Sequence, residues 1–293
     1  MEYSKPLVSI VMMLYNGERW LADALRCLLN QTYNNFELLV LDNQSTDASA
    51  AIVKSFAEND PRIHYRLDDR RRDPQDAANQ LIAGASGKYC MIACDDDHWH
   101  PDFLAVLVER LEAEPRLGLV FCGYDLIDEN DRSLGDYHIR PHYRATHSCL
   151  RNVLSYLEFR NPLLGFGLFR TQWLQQVLPF IFPDPDCWWN ADNVYMLAFL
   201  ARHRVHVLPR QLFSYRQKDR AKYMPLGWRN GKAWFRSTVR HQWRVSRAFW
   251  RVISRAPLSR LQKMVVHCYI PINYFNKMIT WRLVGYLNML LRD

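Results

Sequence analysis

Short apolar segments alternate with amphipathic segments from residue 7 to residue 122, and this alternation constrains the fold more than any other feature. The apolar runs have the length of buried strands, and the intervening segments place apolar residues at helical spacing. We predict strands at 7–14, 36–41, 63–66, 89–94 and 117–122, and helices at 18–30, 47–58, 75–85 and 102–112. Strands joined by helices form a mostly parallel sheet with right-handed crossovers and helices on both faces, so the predicted fold class is α/β.

Polar residues follow three of these predicted strands. Tyr15–Gly17 follow the first strand, Asp42–Asp47 the second, and Asp95–Asp97 the fourth. Ligands of open α/β sheets bind beyond the carboxyl ends of the strands. We therefore expect the three clusters to meet in one crevice.

The acidic triplet Asp95–Asp97 comes directly after an apolar segment, where charged residues are costly unless a ligand uses them. Such carboxylates indicate either a divalent cation held by oxygen ligands or hydrogen bonds to sugar or ribose hydroxyls. A cation at this place would suit a diphosphate. The alternative is a solvated loop that also caps the helix starting near Asp102.

Composition indicates the compartment. The seven cysteines form no CxxC pair and several lie in apolar runs, which favours a reducing environment and argues against structural zinc. The polar N-terminus runs straight into a strand, so we expect no signal peptide, and no apolar run has the length needed to cross a bilayer. The predicted location is cytoplasmic, or peripheral on the cytosolic face of a membrane.

A series of segments in a fixed order resembles a known protein family. The segments are Val8–Asn16, Leu28–Tyr33, Phe36–Asp42, Ser45–Asp47, Ala83–Tyr89, the acidic triplet with Trp99 and Pro101, and, more weakly, Ala191–Asp192 and Leu212–Arg216. They are similar to the inverting nucleotide-sugar glycosyltransferases of family 2, which have the Rossmann-like GT-A fold. The resemblance implies a GT-A domain at 1–220, with a nucleotide-sugar-binding half at 1–122 and an acceptor-side half at 123–220. A basic amphipathic helical extension follows at 221–293.

The resemblance implies roles for five residues at the donor site. Tyr15 and Asp42 would contact the nucleotide base, with Asp42 accepting a hydrogen bond from a base N–H. Asp96 falls at the metal-binding carboxylate of the family, so the implied cofactor is Mg²⁺ or Mn²⁺. Asp95 and Asp97 would flank it toward the ribose and the donor sugar. The alternatives are a helix cap or an Asx turn for Asp42 and a packed aromatic for Tyr15.

On the acceptor side, the resemblance makes Asp192 the general base that takes the proton of the acceptor hydroxyl. Direct displacement with inversion requires one such base and no covalent nucleophile. The alternative for Asp192 is a helix N-cap. Trp188 and Trp189 would either stack on acceptor sugars or simply pack.

The chain also departs from the family pattern, at Asn43, Gln44, Cys94, Ala191, the residues before Asn79 and those after Arg216. An arginine is usual just before Asn79, and here two alanines stand there. We assign Asn79 to the donor site, with Arg72 facing the diphosphate in place of the missing arginine. The alternative for Arg72 is a solvated charge run. These departures concern the identity of the donor more than the reaction class.

The end of the chain is strongly basic. From residue 225 onward it has thirteen lysines and arginines against one acid, a net charge of +12. Seven of the basic residues are three or four positions apart and form a stripe on a predicted helix: Lys232, Arg236, Arg240, Arg244, Arg247, Arg251 and Arg255. Phe235, Val239, Trp243, Trp250 and Ile253 lie beside the stripe. The pattern over residues 228–291 therefore predicts either interfacial helices on an anionic membrane or helices whose apolar face packs on the protein.

The predicted function is transfer of a sugar from a nucleotide-diphosphate sugar, with a UDP-sugar favoured, to a hydroxyl of a glycan or a lipid-linked acceptor. Two alternatives belong to other classes. One is a nucleic-acid-binding protein that uses the basic tail, although acids in the crevice would repel a polyanion and no nucleic acid is expected. The other is a catalytically inactive GT-A scaffold.

Overall fold

The structure is a computed structural model, which describes residues 5–137, 148–159, 162–180, 191–218 and 231–290. The strands are β1 (Val8–Leu14), β2 (Phe36–Asp42), β3 (Ile63–Leu67), β4 (Tyr89–Ala93), β5 (His98–Trp99), β6 (Leu117–Ile127), β7 (Ser133–Tyr137), β8 (Leu168–Arg170) and β9 (Arg204–Arg216). The helices are α1 (Leu21–Leu29), α2 (Ser49–Ala57), α3 (Pro74–Gly84), α4 (Phe103–Ala113), α5 (Cys149–Phe159), α6 (Thr171–Gln175), α7 (Ala191–Leu200), α8 (Gly231–Arg255) and α9 (Arg260–Leu290), with a 3-10 helix at Pro162–Phe166.

The strands and helices predicted up to residue 122 are all present, and the α/β fold class is confirmed. Six of the seven residues of β1 are buried, as expected for a central strand covered on both faces. The inner face of α1 shows the helical spacing that the sequence predicted, with Leu21, Ala24, Leu25 and Leu28 buried. Beyond Cys122 the last predicted strand continues to Ile127 as the long β6.

The sheet is parallel in its N-terminal part and mixed beyond it. The strand order is β3-β2-β1-β4-β8-β6-β9-β5, with β7 beside β6. The pairs β1–β2, β1–β4, β2–β3 and β6–β9 are parallel. Strand β8 is antiparallel to β4 and β6, β5 is antiparallel to β9, and β7 is antiparallel to β6. The expectation of a mostly parallel sheet therefore holds only for the first four strands.

The direction of strand addition reverses between β1 and β4. Strands β2 and β3 are added on one side of β1, and β4 is added on the other. Because crossovers are right-handed, the helices before and after this reversal cover opposite faces of the sheet. The loops after β1 and β4 consequently diverge, which opens a crevice at the carboxyl ends of these two strands.

The chain forms two compact units. The first, here called the sheet unit, consists of residues 1–147, 163–180 and 203–218, and contains all the described strands with α1–α4 and α6. The second, the helical unit, consists of residues 148–162, 181–202 and 219–293, and contains α5, α7, α8 and α9.

Within the helical unit, α8 packs on α7 and α9, and α5 also packs on α7 and α9. The inner face of α8 carries Val245, Phe249 and Ile253, all fully buried. Trp243 and Trp250, predicted to lie with these apolar residues, are exposed instead. None of the helices in the described residues combines the length and the hydropathy needed to cross a membrane.

Candidate functional site

The loops after β1 and β2 are joined by hydrogen bonds. The backbone N–H of Asn16 donates to Ser45 Oγ at 3.0 Å, and the N–H of Thr46 donates to Asn16 Oδ1 at 2.8 Å. The N–H of Gly17 donates to Ser49 Oγ at 2.9 Å. Asn16 has a φ of 50°, a left-handed conformation that asparagine tolerates well. Two of the three predicted polar clusters are thus in direct contact.

The third cluster meets the first at Gly17. A Cβ atom on Gly17 would lie 1.9 Å from Asp95 Oδ2, so only glycine leaves room for this carboxylate beside the β1 loop. Burial, reinforced by the neighbouring charge of Asp96, raises the pKa of Asp95 to about 6. All three clusters therefore meet at the crevice between β1 and β4, as the sequence predicted.

Arg216, at the end of β9, holds the acidic triplet in position from beneath. Its backbone N–H donates to Asp97 Oδ1 at 2.9 Å, and its Nε donates to the carbonyl oxygen of Asp96 at 2.8 Å. The rest of the guanidinium donates to the carbonyl oxygen of Asp128 and to Asp131 Oδ1, at 2.8 and 2.5 Å. Because the Arg216 side chain is fully buried, these contacts fix the backbone and one side chain of the triplet together.

Lys218 lies over the triplet. Its Nζ is 2.7 Å from Asp96 Oδ2 and 4.9 Å from the centroid of the Trp20 ring. Burial alone would lower the pKa of Lys218, but the charge of Asp96 and a hydrogen bond to it raise the pKa. The ammonium group shows that the surroundings of Asp96 favour a positive charge.

Asp96 and Asp97 fit a divalent cation. Ligand atoms of Cys94, Asp96 and Asp97 lie within 4.8 Å of one another. Asp97 Oδ2 is buried without a hydrogen-bond partner, and burial together with the charge of Asp96 holds the pKa of Asp97 well above its usual range. A cation would satisfy this oxygen and relieve the repulsion. Burial also keeps the pKa of the Cys94 thiol high, and hard cations prefer oxygen, so the two carboxylates are the better ligands.

An aromatic cluster lies behind the acidic triplet. Trp99 follows the triplet on β5 and pairs with Phe213 of β9, with ring centroids 5.7 Å apart. Phe213 also contacts Phe121 at 6.0 Å and Phe166 at 5.7 Å. Packing of this kind restricts side-chain motion, so the triplet is attached to a rigid part of the sheet unit.

Asp42 is fully buried at the end of β2, and both of its carboxylate oxygens are already used. Oδ1 accepts a hydrogen bond from the N–H of Ser45 at 2.8 Å, and Oδ2 accepts one from the Tyr65 hydroxyl at 2.9 Å. Asp42 thus binds the backbone three residues on, one residue further than in an Asx turn, so a local structural role is present in the structure. Asp47 also has a local role, because its Oδ1 accepts from the N–H of Ser49 at the start of α2. A contact of Asp42 with a base stays a prediction.

Tyr15 is partly exposed, and a cation covers one face of its ring. The Tyr15 side chain is 37% exposed, and the guanidinium carbon of Arg71 lies 4.2 Å from the ring centroid. The alternative that Tyr15 is a packed aromatic does not match this exposure. The ring face is thus in contact with a cation, and stacking of Tyr15 on a base stays a prediction.

Arg72 and Asn79 have structural partners. Arg72 Nε donates to Asp68 Oδ2 at 2.7 Å and Nη2 to Asp69 Oδ1 at 2.6 Å. The Asn79 amide exchanges hydrogen bonds with the backbone of Phe180, at 3.1 and 2.7 Å. The Arg72 guanidinium is thus neutralised by two acids, which does not match the expectation that it faces a diphosphate. For Asn79, donor binding stays a prediction beside its observed role of anchoring Phe180.

Asp192 lies in the first turn of α7 and belongs to the helical unit. The residue is exposed as a whole, yet desolvation by the surrounding protein raises the pKa of its carboxyl to about 6. A helix N-terminus favours the ionised form, so this shift reflects desolvation and not helix capping. The next residue, Asn193, accepts a hydrogen bond from the buried Tyr156 hydroxyl at 2.9 Å, which joins α7 to α5. Trp188 and Trp189 lie outside the described residues.

The sequence analysis missed Tyr65 and Lys218 as parts of this site. It placed Gly17 in a crevice cluster and Arg216 in a motif without giving either residue a role of its own. Gly17 had a detectable signal, because it stands at the tight turn after β1. Arg216 and Lys218 share the polar end of β9, but their pairing with the triplet depends on β5 lying beside β9, which no local pattern indicates.

The crevice loops lie in a segment that matches a known protein family. Residues 9–178 match the sequence profile of the family described as Glycosyl transferase family 2, which is more than half of the chain. The chain belongs to glycosyl transferase family 2. The resemblance seen in the sequence is confirmed, and the match includes the crevice loops and the acidic triplet.

The curated relatives in this family match over part of their length. Over 150 residues the chain is 27% identical to TuaG of Bacillus subtilis, a glycosyltransferase named for teichuronic acid biosynthesis, which covers 51% of this chain and 59% of TuaG. Over 217 residues it is 32% identical to the glycosyltransferase GlyA of Streptococcus pneumoniae, which covers 71% of this chain and 30% of GlyA. The chain spans about half the length of the curated relatives it matches.

Solved structures with low sequence identity share the fold. TarS of S. aureus, in a complex with UDP-GlcNAc, matches with a TM-score of 0.68 and 15% identity, over 92% of this chain and 72% of TarS. The mannosyltransferase PcManGT of Pyrobaculum calidifontis, in a complex with GDP-Man and Mn²⁺, matches with a TM-score of 0.58 and 18% identity, over 98% of this chain and 81% of PcManGT.

Proposed function

We propose that this member of glycosyl transferase family 2 transfers a sugar, with inversion, from a nucleotide-diphosphate sugar to a hydroxyl of a glycan or a lipid-linked glycan. The observation that carries the proposal is the meeting of three polar loops at the reversal between β1 and β4. A buried carboxylate oxygen without a hydrogen-bond partner, Asp97 Oδ2, held in a crevice at strand ends, is typical of a ligand site and not of a solvated loop.

The donor would lie along the carboxyl ends of β1, β2 and β4. Tyr15 would stack on the base, and Asp42 would shape the base end of the crevice through Ser45 and Tyr65. Asp95, beside Gly17, has the position to accept hydrogen bonds from ribose hydroxyls. A UDP-sugar is favoured, since two matched TarS structures, in complexes with UDP and with UDP-GlcNAc, have higher TM-scores than the GDP-Man complex.

Asp96 and Asp97 would hold a divalent cation, Mg²⁺ or Mn²⁺. When bound, such a cation supplies a Lewis acid that stabilises the diphosphate leaving group. Arg216 keeps the Asp96 backbone and the Asp97 carboxylate in place, since it binds the Asp96 carbonyl oxygen and Asp97 Oδ1 and leaves Asp97 Oδ2 without a partner. Lys218 supplies a further positive charge beside Asp96, where it favours the negatively charged diphosphate.

Asp192 would be the general base. With a pKa of about 6, its carboxylate is mostly ionised at neutral pH and is also a stronger base than an ordinary aspartate. In the proposed step the acceptor oxygen forms a bond to the anomeric carbon while the bond from that carbon to the diphosphate oxygen breaks. The hydroxyl proton passes to Asp192, and the nucleoside diphosphate leaves with the electron pair. One displacement of this kind inverts the anomeric configuration.

A transfer assay with matched variants tests this function. Purified protein is incubated with UDP-GlcNAc, UDP-glucose or GDP-mannose and with Mn²⁺ or Mg²⁺, and released nucleotide is measured for wild type, Asp96→Asn and Asp192→Asn. We expect Asp96→Asn to weaken metal-dependent donor binding and Asp192→Asn to bind donor normally without turnover. Glu109→Gln, which removes an exposed charge on α4, is the control and keeps full activity. Full activity in either site variant would remove that residue from its role.

The inactive-scaffold alternative has one supporting observation, the ion pair between Lys218 and Asp96, because a tethered ammonium group can replace a metal in a protein that only binds nucleotide. Nucleotide binding without turnover for every donor and metal would favour it. If the enzyme is active, we propose a cytoplasmic location in which residues 228–291 contact the cytosolic face of a membrane and bring the enzyme to a lipid-linked acceptor.

A further inference from the structure

The outward face of α9 is apolar. Nine side chains between residues 260 and 276 are exposed, and seven of them are apolar: Leu261, Met264, Val265, Cys268, Pro271, Ile272 and Phe275. They recur at helical spacing, so they form one continuous face, bounded by Arg260 and Asn276. The inward face, with Val266, Ile270 and Asn273, is buried. A helix on the surface of a globular protein normally has polar residues outward, and α9 does not follow this rule.

The exposed face of the neighbouring α8 is basic and aromatic. Arg240, Arg247, Arg251 and Arg255 are exposed there, together with two tryptophans, Trp243 at 59% and Trp250 at 47% exposure. The tryptophans lie along one edge of the arginines. Tryptophan beside arginine is typical of the boundary between lipid chains and head groups, where an amphipathic ring and a long cationic side chain are both stable.

These two faces are adjacent. The Trp250 ring stacks on His267 of α9, with centroids 3.9 Å apart, and Lys263 Nζ donates to the carbonyl oxygen of Ser254 at 2.8 Å. The arginines of α8, the tryptophan edge and the apolar face of α9 therefore follow one another across a single surface, here called the α8–α9 surface. An apolar groove of about 570 Å³ between α5 and α9 adds to it, with Leu154 and Glu158 opposite the residues of α9.

We propose that the α8–α9 surface docks on an anionic lipid bilayer and lies in its plane. Residues 231–290 contain eleven lysines and arginines and no acidic residue, so the charge of this segment is complementary to anionic head groups. The apolar face of α9 enters the boundary of the acyl chains, and the arginines of α8 remain at the level of the phosphates. The proposal rests on the helical unit alone and does not depend on the reaction proposed above.

Vesicle flotation with the full chain tests this docking. Wild type is expected to float with phosphatidylcholine vesicles that contain phosphatidylglycerol, and to remain in solution with phosphatidylcholine alone. The double variant Arg247→Gln/Arg251→Gln should weaken binding about 25-fold, from roughly fivefold for each cation near the surface. Its control, Arg116→Gln/Arg132→Gln, removes the same charge from exposed sites of the sheet unit and keeps wild-type binding.

The apolar contribution has its own variant and control. Met264→Ser/Ile272→Ser should weaken binding on the order of tenfold, since both side chains would leave water on docking. Leu67→Ser/Leu134→Ser changes two comparably exposed side chains of the sheet unit and leaves binding unchanged. A polarity-sensitive fluorophore on Cys268 should shift to shorter wavelength when anionic vesicles are added, and Cys268→Ser should abolish that signal. Circular dichroism confirms that each variant is folded.

Several outcomes would overturn the proposal. They are absence of wild-type binding to anionic vesicles, equal binding to neutral vesicles, and equal binding by the two site variants and their controls. Concentration-dependent self-association through α9 without vesicle binding would assign this surface to a second copy of the chain. Binding of polyglutamate without vesicle binding would assign it to an acidic protein partner.

Discussion

The substitution Gly17→Ala places a methyl group where the Asp95 carboxylate lies. The added Cβ would be 1.9 Å from Asp95 Oδ2 and 2.8 Å from Asp95 Cγ, whereas ordinary contacts begin at 3.4 Å. The carboxylate must therefore move by at least about 1.5 Å. Because Gly17 does not have a positive φ, alanine fits the backbone itself. The same Cβ would lie 3.0 Å from Leu14 Cδ1, which must give by only a few tenths of an ångström. The substitution thus displaces mainly the Asp95 carboxylate and leaves the backbone unstrained.

We expect a large loss of activity and a small change in stability. A displacement of about 1 Å at a binding site costs on the order of 100-fold in rate, which corresponds to about 2.7 kcal/mol in kcat/KM. A shifted Asp95 rotamer costs about 1 kcal/mol, partly offset by the lower entropy of alanine in the unfolded chain. Donor turnover gives kcat/KM, calorimetry gives the affinity for UDP-GlcNAc, and urea unfolding gives the stability.

Two controls separate this effect from a general effect of alanine. Gly84→Ala, in the last turn of α3, puts a Cβ in open space and should leave activity unchanged. In the Asp95→Ala background, Gly17→Ala should cause no further loss, because its target is gone. Wild-type kcat/KM in Gly17→Ala, or an undiminished additional loss in the double variant, would refute the reasoning.

Three further predictions follow from the structure. Because the pKa of Asp192 is about 6 and the base acts when ionised, kcat/KM should fall about tenfold per pH unit below about pH 6. A pH–rate profile that is flat to about pH 5 would exclude Asp192 as the general base. Lys218→Met removes a cation 2.7 Å from Asp96 Oδ2, so calorimetry without donor should show Mn²⁺ binding about tenfold tighter, and weaker binding would contradict this. Arg216→Met leaves buried acceptors unpaired and should lower the free energy of unfolding, measured in urea, by about 3 kcal/mol. The control Arg116→Met, at an exposed site, should lower it by less than about 0.5 kcal/mol. Equal losses would show that the hydrogen bonds of Arg216 do not stabilise the fold.

The first half of the fold was predictable because its signals are local. Strand β1 is an apolar run, and α1 shows its buried face as Leu21, Leu25 and Leu28 in the sequence itself. Strand β8 has three residues and lies between β4 and β6, so its placement depends on partners distant in sequence. The same is true of β5, which has two residues. Such strands carry no periodicity, and the mixed part of the sheet could not be predicted.

The candidate site was predictable where it depends on topology and not where it depends on contacts between side chains. Topology alone indicated that Asp95–Asp97 would meet the loops after β1 and β2, because the carboxyl ends of parallel strands share an edge. The partners of individual side chains are a tertiary property. Arg72 was assigned to a diphosphate because of its charge, but Asp68 and Asp69 are closer partners. On α8, helical spacing predicted the exposed arginines at 240, 247, 251 and 255, but packing on α7 and α9 left Trp243 and Trp250 exposed as well.

Binding of UDP measured by calorimetry, with Mn²⁺ and with the metal chelated, tests the central claim most directly. If the loops at the β1–β4 reversal form a cation-dependent diphosphate site, wild type binds UDP at least about tenfold more tightly with Mn²⁺, since the cation offsets the repulsion between carboxylates and diphosphate. Asp96→Asn should lose this dependence, whereas Asp192→Asn should keep it. Equal UDP affinity with and without Mn²⁺ in the wild type would contradict the account.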